Sequence, residues 1–254
     1  MPSSPAPAPA PAPPAVESRR AQLRLVRPPR LVGELLHPEG LDLACSARLE
    51  VLTSGRRNVP RGAALYRSGD RLSSLFEVRS GFFKTCVCAE DGRNQVIGFH
   101  RHAELLGLDG IGTGRHHCDA VALEDSQVCS ISYEELEGLI SDHTELRQRF
   151  HRIMSREFVR IQTMMMLLGS MCAEERVAAF LLELAQGPGP EDLPASRLVL
   201  SMTREEIGSY LGLKLETVSR IFSRLQGEGV LEVKQRHIHL VDLPALQQIA
   251  HRSA

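Results

Sequence analysis

Six polar side chains able to read base edges crowd one short stretch, LKLETVSRIFSRLQ: Lys214, Glu216, Thr217, Ser219, Arg220 and Arg224. Arginine can give two hydrogen bonds to a guanine, glutamate can accept from a cytosine amino group, and serine adapts to either role. Shortly afterwards comes VLEVKQRHIHLV, with Lys234, Arg236 and His237 at its centre, cations suited to phosphate. This chemistry is recognition of double-stranded nucleic acid rather than turnover of a substrate.

Other reactive groupings are less specific. The six cysteines, Cys45, Cys86, Cys88, Cys118, Cys129 and Cys172, include no CxxC pair. Cys118 stands in RHHCDA beside Arg115, His116 and His117. Neighbouring positive charge there would lower the thiol pKa and create a redox switch. The same HHCD run could ligate a metal, but adjacent strand residues point to opposite faces, so no metal site is expected. Cys86 and Cys88 share a strand face and are expected to pack. GIGTG at 110–114 looks like a piece of a dinucleotide motif, yet the βαβ context is missing. No catalytic residues stand out, and the chain is not expected to be an enzyme.

The polar stretch needs a frame to present it. TREEIGSYLG reads as a helix start, with Thr203 as N-cap and Glu206 three residues later, the capping-box spacing. Gly212 falls where two crossing helices need a tight turn. Ile207, Leu211, Val218 and Ile221 are spaced to pack the two helices together, and the strand, turn and strand that follow make a wing. Five glutamates share the region with its cations, so Glu205, Glu206, Glu228 and Glu232 are expected to point away from DNA.

Upstream lies a long helical pattern over roughly 143–169, without proline and without glycine until Gly169. One stripe of it, Met154, Phe158, Ile161, Met165 and Leu168, repeats in steps of four and three, the spacing of a coiled-coil seam. Phe150, Ile153, Met164 and Leu167 form a second apolar face. A helix with two such faces can pack its own domain with one and a partner helix with the other. AEERVAAFLLELAQ is a further amphipathic helix, GPGPEDLP a loop and RLVLSMT a short strand ending at a cap.

From about 50 to 131 the texture is β: short apolar runs such as SSLFEVRSG and QVIGFH are separated by glycine turns, which suggests a barrel or roll. SYEELEGLI, capped by Ser132, closes this block as a short helix. Residues 1–15 are mostly Ala and Pro and cannot build a core. The net charge of −1 excludes a global basic field, so DNA contact must come from a local patch. No apolar run is long enough to span a bilayer, no secretory signal is visible, and a cytoplasmic protein with reduced thiols is expected.

Taken in order, RSGFFKT, QVIGFH, ELLGLDGIGTGRHH, CAEERVAAFLLEL and LSMTREEIGSYLGLKLETVSRIFSRLQ resemble the CRP/FNR superfamily of bacterial transcription regulators, most closely its FNR branch. The resemblance runs from about Arg27 to the C-terminus. It implies an α+β fold: a β-roll of cyclic-nucleotide-binding type at 27–142, a dimerisation helix at 143–170 and a winged helix-turn-helix at 171–254, after a disordered tail at 1–26. It implies a homodimer on double-stranded DNA and RNA polymerase as a partner, with AEDGR at 89–93 as one activating loop. In the FNR branch a Glu, a Ser and an Arg of the recognition helix read repeats related to TTGAT-N4-ATCAA; here they fall on Glu216, Ser219 and Arg220.

The sensing chemistries of the family meet departures. Where cyclic AMP binders carry a Gly-Glu pair and a later Arg-Ser/Thr, this chain has Ala103–Glu104 and GTGRHHCDA. Oxygen-sensing members hold a 4Fe–4S cluster with three N-terminal cysteines and a fourth in the roll. In VRPPRLVGELLHPEGL the proline of that motif is matched by Pro38, and the three ligand positions fall on Arg27, Arg30 and Leu36. Cys129 alone matches, and is read as a small buried residue. Guanidinium and leucine cannot replace thiolates, so no cofactor is expected. Oxygen-responsive members place an Asp mid-seam, where Ile161 stands here. Alternative inputs in the same fold are the Cys118 thiol or haem at His100 or His102.

Overall fold

The computed structural model describes residues 41–251 apart from 54, 89–91, 93 and 187–195. The Ala/Pro tail, the Arg27, Arg30 and Leu36 positions, most of the AEDGR loop and the GPGPEDL stretch therefore lie outside the described residues.

Eight short strands build the first half: β1 (Arg56–Val59), β2 (Ala64–Tyr66), β3 (Ser74–Ser80), β4 (Phe83–Cys88), β5 (Asn94–His100), β6 (Leu105–Leu106), β7 (Asp119–Ala122) and β8 (Ser126–Ser132). They pair antiparallel in two four-stranded sheets, ordered β1-β8-β3-β6 and β2-β7-β4-β5. Alternating residues turn inward, so Phe76, Val78, Phe83, Leu106, Ala120 and Val128 form one buried cluster. This is the expected roll.

One element was not anticipated. Leu43–Leu52 is a helix, α1, whose N-cap Asp42 accepts from the Cys45 amide at 2.7 Å. Leu43 and Val51 stay exposed while Cys45 and Leu49 are buried, so the helix has too narrow an apolar face to show a clear period. It packs with α2 (Tyr133–Asp142) on the outside of the first sheet. The Ser132 hydroxyl caps α2 by accepting from the Glu135 amide.

The long helix α3 runs Thr144–Ser170. Leu146, Phe150 and Ile153 are buried against the roll and α2, and Leu167 joins the core of the last domain. After a break at Met171 and Cys172, α4 (Ala173–Gln186) leads to β9 (Arg197–Val199), α5 (Arg204–Leu211), α6 (Leu215–Gly227), the hairpin β10 (Leu231–Lys234) and β11 (His237–Leu240), and α7 (Leu243–Ala250). Strands β10, β11 and β9 form a small antiparallel sheet.

The roll and this last domain share a core. Phe99 of β5 meets Tyr210 of α5 and Phe180 of α4 with ring centroids 5.1 and 6.0 Å apart. Polar bonds frame the contact: Lys84 Nζ to Glu206 Oε1 at 2.8 Å, the Val96 amide to Ser209 Oγ at 2.8 Å, and Ser201 Oγ to Glu124 Oε2 at 2.9 Å.

Beside the aromatic rings lies a knot of charge. Glu104 approaches Arg101 at 3.5 Å and His100 at 3.6 Å, and Glu157 pairs with Arg160 at 3.1 Å. Glu183 of α4 and Tyr210 of α5 complete the lining. Burial pushes the Glu104 carboxyl up to about 7, against the pull of Arg160 and Arg101; Glu183 is raised by burial too. Because its folded pKa lies above the ordinary 4.5, Glu104 favours folding fully below that pH, and the benefit is lost as pH rises through 7. Urea unfolding at pH 5 and pH 8 should therefore show wild type losing up to about 3 kcal/mol more than Glu104→Gln over that interval.

Candidate nucleic-acid interface

The helix pair α5–α6 is fixed at both ends. Thr203 Oγ1 accepts from the Glu206 amide at 3.1 Å, and the Glu206 carboxylate accepts from the Thr203 amide at 2.7 Å, which completes the capping box. Gly212 takes a left-handed conformation with φ 65°, a region glycine enters without steric cost. Here it turns the chain sharply from α5 into α6. Ile207, Leu211, Val218 and Ile221 are all buried between the helices. Arg204 adds a contact that sequence spacing did not reveal: its guanidinium lies 3.4 Å from the centre of the Phe222 ring, and burial pushes it down to about 10.

This packing leaves Lys214, Glu216, Ser219 and Arg220 exposed on one side of α6, with Thr217 half-buried beside them. Arg220 Nη2 lies 3.5 Å from Thr217 Oγ1. Lys234, Arg236 and His237 are exposed at the wing tip, where Gln235 adopts a positive φ of 57°. Glu206 and Glu228 are turned to other tasks: Glu206 binds Lys84 of the roll, and Glu228 lies 3.9 Å from Arg224.

Arg224 departs from expectation. Its guanidinium pairs with Glu174 of α4 as well as Glu228, so two carboxylates offset a charge that was expected to face DNA. The partner lies on another helix fifty residues upstream, beyond the reach of any local pattern.

The Cys118 environment is also the reverse of the expected one. The thiol is buried, and its Sγ faces Asp109 Oδ2 at 3.4 Å. The same carboxyl group accepts from the His117 amide at 2.7 Å and approaches His116 Nδ1 at 3.4 Å. Burial and the Asp109 charge push the thiol up, so the premise of a reactive thiolate fails. Cys88 is corrected as well: Cys86 is buried, but Cys88, the last residue of β4, lies at the strand end and is exposed. His100 holds both ring nitrogens inside the protein, 3.1 Å from Thr85 Oγ1 and 3.6 Å from Glu104 Oε2; His102 Nδ1 meets the Arg79 carbonyl at 2.7 Å.

The seam residues of α3 stand open. Phe158, Ile161 and Met165 are 62%, 55% and 69% exposed, and Leu168 borders them; Met154 is half-buried against the roll. Between this stripe and the roll is a cavity of about 740 Å³, lined by Ile97, His100, Leu106, Asp109, Phe158 and Ile161 among others.

Two family profiles match the chain: a cyclic nucleotide-binding domain over residues 56–143 and a Crp-like helix-turn-helix domain over 175–249. The transcriptional regulatory protein btr of Bordetella pertussis is 42% identical over 219 residues, 86% of this chain and 90% of that protein. This chain belongs to the CRP/FNR family of transcription regulators. The fumarate and nitrate reduction regulatory protein of Escherichia coli K12 is 39% identical over 80% of this chain and 81% of its own length. The structure of FixK2 from Bradyrhizobium japonicum superposes with a TM-score of 0.72 at 28% identity, covering 79% of this chain and 98% of that one. In this family frame α5 and α6 are the helix-turn-helix and β10–β11 its wing. No helix among the described residues is long and apolar enough to cross a membrane.

Alkylation of the native protein at neutral pH should label the exposed Cys88 and Cys172 and spare Cys118 until denaturant is added. Peptide mass mapping reads the outcome; fast labelling of Cys118 would restore the thiol switch.

Proposed function

We propose that this regulator acts as a homodimer that reads an inverted repeat of the TTGAT-N4-ATCAA type, without an iron–sulfur cluster or a cyclic nucleotide. The observation that carries the reading is the exposed apolar stripe on α3. A second copy of the helix covering it would remove Ile161 from water, contributing about 1.5–3 kcal/mol per side chain. An Asp at that position would bury an unpaired carboxylate instead.

The residues present do not fit a cluster. Cys129 is fully buried in β8, and its Sγ donates to the Thr53 carbonyl at 3.0 Å. Burial raises its pKa, and the three remaining ligand positions hold Arg27, Arg30 and Leu36. A cyclic nucleotide fits no better. Glu104 is committed to Arg101 and His100 rather than to the cavity, and Asp109 presents a carboxylate at the cavity wall, where a phosphate would meet repulsion.

On DNA, a two-fold dimer presents two copies of α6 to major-groove half-sites about one helical turn apart. Arg220 pairs with the guanine of each TTGA half-site, Glu216 accepts from the cytosine opposite, and Ser219 faces the thymine side. Lys214 and Thr217 flank them, while Lys234 and Arg236 of the wing meet phosphate. RNA polymerase is the partner of the DNA-bound form, and the cytoplasm its compartment.

Protein purified with or without oxygen should be colourless and run as a dimer, and Ile161→Asp should weaken both the dimer and DNA affinity. Sedimentation with iron and sulfide analysis checks this; a stoichiometric iron–sulfur absorbance or a fully dimeric Ile161→Asp would overturn it.

Arg220→Ala should lose roughly 1–3 kcal/mol of discrimination at the half-site guanine. Lys234→Ala should weaken all sequences about equally and flatten the salt dependence. Titrations of the palindrome and single-base variants at two salt concentrations separate the two roles.

A further inference from the structure

Three charged residues open α4, Glu174, Glu175 and Arg176, and base reading by α6 makes no use of Arg176. Its guanidinium nevertheless has more defined partners than the arginines of the recognition face. Nε donates to the Met171 carbonyl at 2.9 Å, Nη2 to the Leu168 carbonyl at 2.7 Å and Nη1 to the Leu211 carbonyl at 3.1 Å. Leu168 belongs to the last turn of α3 and Met171 is its C-cap, while Leu211 ends α5. Carbonyls at a helix C-terminus have no acceptor role inside their own helix and carry partial negative charge. One cation therefore ties together two helix ends that would otherwise turn to water.

The neighbours complete the joint. Glu175 accepts from the Cys172 amide at 2.7 Å and so caps α4 itself. Glu174 pairs with Arg224 of α6. Gly212 sits against the same point: a Cβ there would lie 3.5 Å from both Arg176 Nη1 and Leu168 Cδ2. Leu168 is also the last residue of the exposed seam, so Arg176 holds the backbone of the proposed dimer contact and the end of the first DNA-domain helix in one hydrogen-bonded group.

We propose that Arg176 is the positioning residue that sets the angle between α3 and the α5–α6 pair, and thereby the half-site spacing the dimer accepts. This rests on the dimeric reading of a palindrome proposed above. In a two-fold dimer α3 lies at the axis and α6 far from it. A small rotation at the joint is thus converted into a change in the separation of the two recognition helices. The guanidinium suits the task because its planar fork fixes three acceptors at once, whereas a lysine ammonium is a single flexible point.

The test uses the full chain and four DNA duplexes: the palindrome with its four-base-pair spacer, the same repeats one base pair closer and one farther apart, and a single half-site. Wild type, Arg176→Lys and Arg176→Gln are compared after their helicity and dimer fraction have been measured. Wild type should favour one spacing, and both variants should reduce that preference by roughly fivefold or more, with half-site affinity and dimer fraction unchanged. Retention of the wild-type spacing preference in either folded variant overturns the proposal. Should Arg176→Gln fail to fold, Arg176→Lys carries the same comparison. A wild type that is monomeric, or that binds the palindrome no better than random DNA, instead defeats the dimeric reading, and the two failures are distinguishable.

Discussion

One helix has to satisfy two apolar faces, and the architecture follows from that constraint. Along α3, Phe150 and Ile153 need the roll and α2 to remove them from water, while Phe158, Ile161 and Met165 face outward. The roll covers the first group, while the second, further along the helix, borders a cavity between α3 and the roll. A helix 27 residues long therefore acts as a spine, with the roll packed on its first half, an exposed apolar stripe over its second half and the DNA-binding domain at its C-terminal end.

The second organising contact is the one between roll and DNA-binding domain. Aromatic rings from β5, α4 and α5 meet there, and the charged knot of Glu104, Arg101, Arg160, Glu157 and Glu183 borders them. The pairing of carboxylates with two guanidiniums is what allows so much charge to sit at a domain junction. Within the knot Glu104 contacts Arg101 and His100 of its own chain.

Much of this was legible in the sequence where the signal is local. The capping box of Thr203 and Glu206, the turn at Gly212 and the two stripes of α3 follow from spacing alone, because each depends on residues within a turn or two of one another. The features that escaped depend on distant partners. Cys118 looks cationic from its neighbours in RHHCDA, but the chain folds Asp109 back onto it. Arg224 looks free on its helix face, but Glu174 reaches it from α4. Helix α1 escaped because only Cys45 and Leu49 are buried on it, too few to set a period.

Glu206 has two duties at once. The same carboxylate that accepts from the Thr203 amide to start α5 also accepts from Lys84 of the roll, and these partners hold it below the usual carboxylate range despite its burial. Nucleating the first turn of the DNA-binding helix and seating that domain on the roll thus share one group. Losing Lys84 would therefore loosen the group that caps α5 together with the seat of that domain on the roll.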